Sequence, residues 1–104
     1  MLNQDQINNI IEKIKRIIKP KCIYIFGSYI YGKPNKNSDL DLLIIKKNKI
    51  SNKLDKLIRL KKNIISDKYS VDVLLYSEKE FNNKVKEGWK IFDDILTKGK
   101  KINV

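Results

Sequence analysis

The sequence predicts an α/β (α+β) chain, a small central sheet flanked by helices in the order α-β-β-α-β-α. Isoleucines recur at helical spacing near the start of the chain. Short runs rich in strand-forming residues follow at Cys22 to Phe26, Asp39 to Ile45 and Ser70 to Leu75. Two further amphipathic stretches alternate with those runs. The 104 residues read as one domain, 1-104, being too few for two.

The first helix is expected from about Asn3 to Lys19, with Ile7, Ile10, Ile11, Ile14, Ile17 and Ile18 on one stripe. Asn3 caps it, with Gln6 three residues on, and Pro20 ends it. Cys22-Ile23-Tyr24-Ile25-Phe26 reads as a strand buried on both faces. Gly27 to Ser38 is a polar loop with room for one helical turn after Ser28. The second strand covers Asp39 to Ile45, and Lys46 to Lys49 makes an exposed turn. A second long helix begins near Ser51 and is expected to bury Leu54, Leu57, Ile58, Ile64 and Ile65. The strand Ser70 to Leu75 follows, parallel to the second if a crossover through that helix joins them in one sheet. Ser77-Glu78-Lys79-Glu80 is a capping box opening a last helix. Its apolar face is Phe81, Val85, Trp89, Phe92, Ile95 and Leu96, with Gly88 a point of bending. The polar tail from Lys98 is expected to be mobile.

The charge of +11 favours anionic partners such as nucleotides, RNA or an acidic protein face; a lysine-rich solvated surface is the plainer alternative. The chain has no histidine, which excludes a Ser-His-Asp triad, a histidine base and a His-bearing zinc site. Its one cysteine, Cys22, lies in an apolar run and reads as a core residue. No apolar run approaches the roughly 20 residues of a membrane span, and Met1 to Gln6 is no secretory signal. A soluble cytoplasmic protein with no membrane partner is the expectation.

Three acids interrupt strands that should be apolar: Asp39, Asp41 and Asp72. Asp39 and Asp41 are two apart, so both leave one face of a strand while Leu40, Leu42 and Ile44 leave the other. If the third strand neighbours the second, Asp72 joins them. Three converging anions repel one another and lose hydration, and a hard divalent cation such as Mg²⁺, bound through oxygen, offsets both. The alternative has the first two capping a turn after Asn37-Ser38, and Asp72 on an exposed edge. Gly27-Ser28 directly follows a strand, where backbone N–H groups and a hydroxyl can receive phosphate oxygens. Gly32 adds a flexible point and Lys33 a cation near those phosphates.

Together, the stretch GSYIYGKPNKNSDLDLLI resembles the signature of the minimal nucleotidyltransferases of the DNA polymerase beta superfamily. The likeness lies in Gly27-Ser28, ten residues, Asp39, one residue, Asp41, and then Asp72 on a later strand. The resemblance implies a nucleotidyltransferase fold with a short mixed sheet, and ATP or another nucleoside triphosphate with two Mg²⁺ ions as ligands. It implies that Gly27 and Ser28 hold the triphosphate and that Asp39 and Asp41 bind both metals. Asp72 would ligate the catalytic metal and assist deprotonation of the attacking hydroxyl. Many small members resemble the antitoxin of a toxin–antitoxin pair whose toxin is a HEPN-domain ribonuclease, and the antitoxin can add AMP to a tyrosine of it. Members often carry a basic residue just before the second glycine; here it is Tyr31, leaving Lys33 or Lys36 to reach the phosphates. Two alternatives stand beside this one. The first is a non-catalytic antitoxin docking through Trp89 and Phe92. The second is nucleotidyl transfer to a small molecule or to RNA, ranked lower because no separate acceptor domain is present and aromatics do not interleave with the lysines.

Overall fold

The first helix starts where its capping residues place it. Gln6 N–H donates to the Asn3 side chain at 2.8 Å, and Asn3 N–H donates to Gln6 Oε1 at 2.9 Å. From there α1 runs Gln4–Ile18 and ends at Lys19 in the left-handed conformation (φ 56°), ahead of Pro20. The computed structural model describes residues 2–35, 37–64 and 69–104, so the expected burial of Ile65 and the reach of Lys36 lie outside it. The remaining elements are β1 (Cys22–Phe26), α2 (Ser28–Tyr31), β2 (Leu40–Lys46), α3 (Lys53–Ile64), β3 (Val71–Ser77), α4 (Glu78–Lys86), α5 (Lys90–Lys98) and β4 (Lys100–Asn103).

The four strands form one mixed sheet in the order β3-β2-β1-β4. The β2–β3 pair is parallel, as the crossover through α3 led us to expect, and both pairs made by β1 are antiparallel. Alternation divides the sheet into two faces. Ile23, Ile25, Leu40, Leu42, Ile44 and Leu75 pack with the isoleucine stripe of α1 and with Leu60 and Ile64 of α3. On the opposite face, Phe26, Leu43 and Ile45 pack with Phe81 of α4 and with Phe92 and Ile95 of α5. Cys22 is buried there too, as a core residue. Phe92 makes edge-on contacts at 5.9 Å with both Tyr76 and Phe81. Among the described residues, no helix is long and apolar enough to cross a membrane.

Three expectations are corrected. In α3, Leu54 and Ile58 are exposed, at 70% and 45%, and Leu60 is buried instead. With 100° per residue, Leu57, Leu60 and Ile64 share the face toward the sheet, and the other two turn away from it. Leu60→Ala should therefore cost about 3 kcal/mol in chemical unfolding, and Leu54→Ala less than about 0.5. Second, the last helix is two helices. Gly88 takes φ +82°, ending α4, and Trp89 then serves as the extended N-cap of α5. Trp89 is consequently 58% exposed, not core, and its indole N–H donates to Glu87 Oε2 at 2.8 Å; Leu96 is exposed as well. Third, the polar tail is a strand. Gly99 turns the chain where a Cβ would collide with the Ile95 carbonyl, and β4 then pairs along the open edge of β1. Its composition hid this, because a lysine-rich edge strand lacks an apolar run.

Candidate active site

The two-residue period of the sheet decides where the three aspartates go. Leu43 and Ile45 of β2 and Leu74 and Tyr76 of β3 lie on the α4–α5 face. Asp41 has the parity of the first pair and Asp72 that of the second, so both leave the sheet on that face, and Asp39, one residue ahead of β2, lies near enough to act on both carboxyl groups. The parallel register sets Asp41 opposite Asp72, and the antiparallel register sets Asp41 opposite Phe26, the last residue of β1. Leu40 N–H donates to Ser70 O at 2.9 Å and ties the two strands together at their entrances. Ahead of β2, Asn35 N–H donates to Ser38 Oγ at 2.9 Å and Asn37 N–H to Asn35 Oδ1 at 2.8 Å, a folded turn that delivers Asp39.

The electrostatics match that placement. Loss of hydration, then the charge of Asp72, then that of Asp39, push the Asp41 carboxyl up to about 6. Partial loss of hydration, then the charge of Asp39 and a side-chain hydrogen bond with it, raise Asp72, while Lys61 of α3 opposes the rise. Asp41 and Asp72 thus both hold a proton more tightly than a free carboxyl group, and the charge of Asp39 acts on each. Among the described residues, no group of three or more His, Cys, Asp or Glu side chains is arranged to hold a metal ion by itself. The donor set nonetheless fits Mg²⁺, which takes oxygen ligands, keeps waters, and is held by one or two carboxylates together with substrate phosphates.

The turn after β1 is built against this cluster. Gly27 has φ 77° and ψ −154°, a region essentially restricted to glycine. A Cβ there would collide with Asp41 Oδ2, so the backbone of the Gly27-Ser28 turn lies directly on that carboxylate. The first closed bonds of α2 are those of Ile30 N–H and Tyr31 N–H to Gly27 O, at 3.0 and 2.8 Å. Ser28 and Tyr29 precede them, with first-turn N–H groups outside the helix's own pattern. On the other side of α2, the Tyr29 hydroxyl accepts from Leu2 N–H at 3.0 Å and anchors the turn to the chain start.

The structure thus brings together Gly27, Ser28, Asp39, Asp41 and Asp72. Gly32 only closes α2, donating to Ser28 O at 3.2 Å; its backbone is extended and a Cβ would meet nothing closer than 3.8 Å. Lys33 is exposed beyond it. Three features of the neighbourhood escaped the sequence reading. Lys61 supplies positive charge to Asp72, although it lies 11 residues upstream in an exposed part of α3. Tyr31 lies within electrostatic reach of both Asp41 and Asp94; burial first, then Asp94 and Asp41, raise its phenol. Asp94 itself pairs with Lys90 at 3.1 Å and Lys98 at 3.8 Å. Only the i, i+4 spacing of those charges was visible beforehand.

Comparison with known proteins follows the same lines. The family model for polymerase beta nucleotidyltransferases matches residues 6–102. A comparison with curated proteins finds no match. Among solved structures, the spectinomycin adenyltransferase AAD(9) from Enterococcus faecialis, crystallised with ATP and spectinomycin, aligns with a TM-score of 0.63 at 18% identity. The alignment covers 85% of this chain and 46% of that one, so this chain spans less than half of that enzyme. A toxin–antitoxin crystal structure with AMP-PNP aligns at 25% identity and TM-score 0.55, over 96% of this chain and 72% of that one. A mutant of the toxin–antitoxin MntA–HpeT aligns at 24% identity and the same TM-score, with the same coverage.

Proposed function

Because this chain belongs to the polymerase beta nucleotidyltransferase family, we propose that it transfers AMP from ATP to a protein hydroxyl, acting as the antitoxin of a HEPN-domain ribonuclease toxin whose tyrosine is the acceptor. The observation that carries the catalytic part is the convergence of Asp39, Asp41 and Asp72 on one sheet face, with the Gly27 backbone pressed on Asp41. The likeness to toxin–antitoxin structures, one of them holding AMP-PNP, supports the choice of nucleotide and partner.

In this reading Gly27 and Ser28 receive the triphosphate through the turn's N–H groups and the Ser28 hydroxyl, with Gly32 and Lys33 at the far end of α2. Asp39 and Asp41 would hold two Mg²⁺ ions, and Asp72 would complete the ligand set of one of them. Bound Mg²⁺ supplies positive charge that offsets the charge developing on the phosphoryl and leaving oxygens. The acceptor oxygen attacks the α-phosphorus in line, the bond from that phosphorus to the pyrophosphate oxygen breaks, and the acceptor proton passes to Asp72. Asp72 suits that task, since partial loss of hydration and then the charge of Asp39 raise its affinity for a proton.

The test is incubation of the purified chain and its toxin partner with ATP and Mg²⁺, followed by mass analysis of the partner. A gain of AMP on a tyrosine, lost in the Asp39→Ala variant, is expected. A partner that binds and is neutralised with no mass gain, from ATP or any other nucleoside triphosphate, would refute transfer and leave the non-catalytic reading.

A further inference from the structure

At the end of the sheet opposite the aspartates lies a second concave, charged region. It forms where β2 and β3 leave the sheet, about six strand residues or roughly 20 Å from Asp41. A cleft of about 590 Å³ is lined by Lys47, Lys49, Lys53 and Lys79, with one carboxylate, Glu80, among them. A second cleft of about 420 Å³ adjoins it, sharing Lys47, Lys79 and Asn83 and adding Lys86 and Glu78. We propose that this continuous lysine-lined groove binds the phosphate backbone of a nucleic acid without reading its sequence.

The charge is available. Among the described residues, no carboxylate lies within ion-pair distance of Lys47, Lys49, Lys53, Lys79 or Lys86. The two acids in the lining already have partners. Glu78 pairs with Lys21 at 2.9 Å, and Glu80 Oε1 accepts Ser77 N–H at 3.0 Å to close the capping box of α4. Five cations face two carboxylates along the joined clefts, and one of those carboxylates, Glu78, is paired with Lys21 from outside the lining, so the strip keeps a net positive potential.

The lining also selects among polyanions. An acidic protein partner calls for aromatic and arginine anchors at the centre of the patch. Neither cleft is lined by an arginine or an aromatic residue, and the ring of Tyr76, next in the chain to Ser77, carries Lys53 and Lys84, whose ammonium groups sit 4.5 and 5.4 Å from its centroid. Stacking of single-stranded bases likewise finds no platform there, since no aromatic side chain lines either cleft. Lysines are flexible point charges that suit phosphates spaced along a backbone.

The test is fluorescence anisotropy with a labelled RNA hairpin and a DNA duplex of equal length, from 50 to 200 mM salt. Lys47→Ala/Lys79→Ala removes the two lysines common to both clefts. It should weaken binding of both probes about tenfold at low salt and flatten the log–log salt slope by about 2. Arg16→Ala/Lys62→Ala, an equal loss of charge on α1 and α3, should leave both nearly unchanged. Equal weakening by the two double variants would reduce the effect to net charge and overturn the groove. So would the absence of salt-dependent binding to either probe, or displacement by polyglutamate as effective as displacement by unlabelled RNA. Thermal unfolding of each variant checks that the fold is retained. AMP transfer should persist in Lys47→Ala/Lys79→Ala, so this proposal and the catalytic one stand or fall separately.

Discussion

Replacing Asp41 with alanine is expected to abolish AMP transfer, by roughly a thousandfold or more, and yet to leave the protein better folded than before. The loss follows from position, because Asp41 stands between the Gly27 turn and Asp72. The stability gain follows from linkage. In the native protein without metal, the Asp41 carboxyl is pushed up to about 6, from 3.8, by lost hydration and by Asp72 and Asp39. The native state therefore holds this proton more tightly than the unfolded chain does. Stability linked to the group is full below about pH 4 and is lost as the pH rises through 6. A shift of this size corresponds to just under 3 kcal/mol, which the water around a half-buried carboxylate reduces to about 1–2. Asp41→Asn, the isosteric neutral variant, should then raise the melting temperature at pH 7.5 by about 5–10 °C and hardly change it at pH 4. Mg²⁺ with ATP should stabilise the wild type and not the variant. An unchanged or lower melting temperature at pH 7.5, or transfer that survives the substitution, would contradict the assignment.

Much of this arrangement could be read from the residues alone, and the reasons are local. The Asn3–Gln6 and Ser77–Glu80 boxes fix their helix starts within four residues, and the alternation of aspartates with leucines fixes which face of β2 carries charge. Whether Asp72 joins that face depends on register with a strand some 30 residues away; the parity of Leu74 and Tyr76 answers it only once the packing is known. The misread parts share a cause. Leu54, Ile58, Trp89 and Leu96 are apolar residues whose exposure depends on how each helix is rotated or broken, and where apolar residues lie on two sides of a helix the hydrophobic pattern alone does not choose between them. The strand β4 depends on an open edge of β1 more than on its own composition. Lys61 and Asp94 reach the site's neighbourhood from helices, at positions where neither residue departs from an ordinary exposed charge.

Gly27→Ala should both destabilise the protein and impair nucleotide binding, and its two causes can be separated. The backbone at Gly27, φ 77° and ψ −154°, costs any other residue about 1–3 kcal/mol. The new methyl also runs into Asp41 Oδ2, and displacing that carboxylate or the turn adds an overpacking cost of about 1–3 kcal/mol. A total of about 2–6 kcal/mol is expected in chemical unfolding, by the sum of those two ranges. In an Asp41→Ala background the clash with Oδ2 and Cγ is gone and a 3.3 Å contact with the remaining Cβ is left, so most of the overpacking is relieved and a double-mutant cycle should return a coupling of about 1–3 kcal/mol between positions 27 and 41. Additive effects would mean that the turn does not rest on the carboxylate. The coupling has a functional counterpart, because the turn that receives the triphosphate and the carboxylate that would hold the metal cannot move independently. Gly27→Ala should therefore weaken ATP-dependent thermal stabilisation as strongly as it weakens transfer; a variant that keeps its ATP shift while losing transfer would place the defect at Asp41 alone.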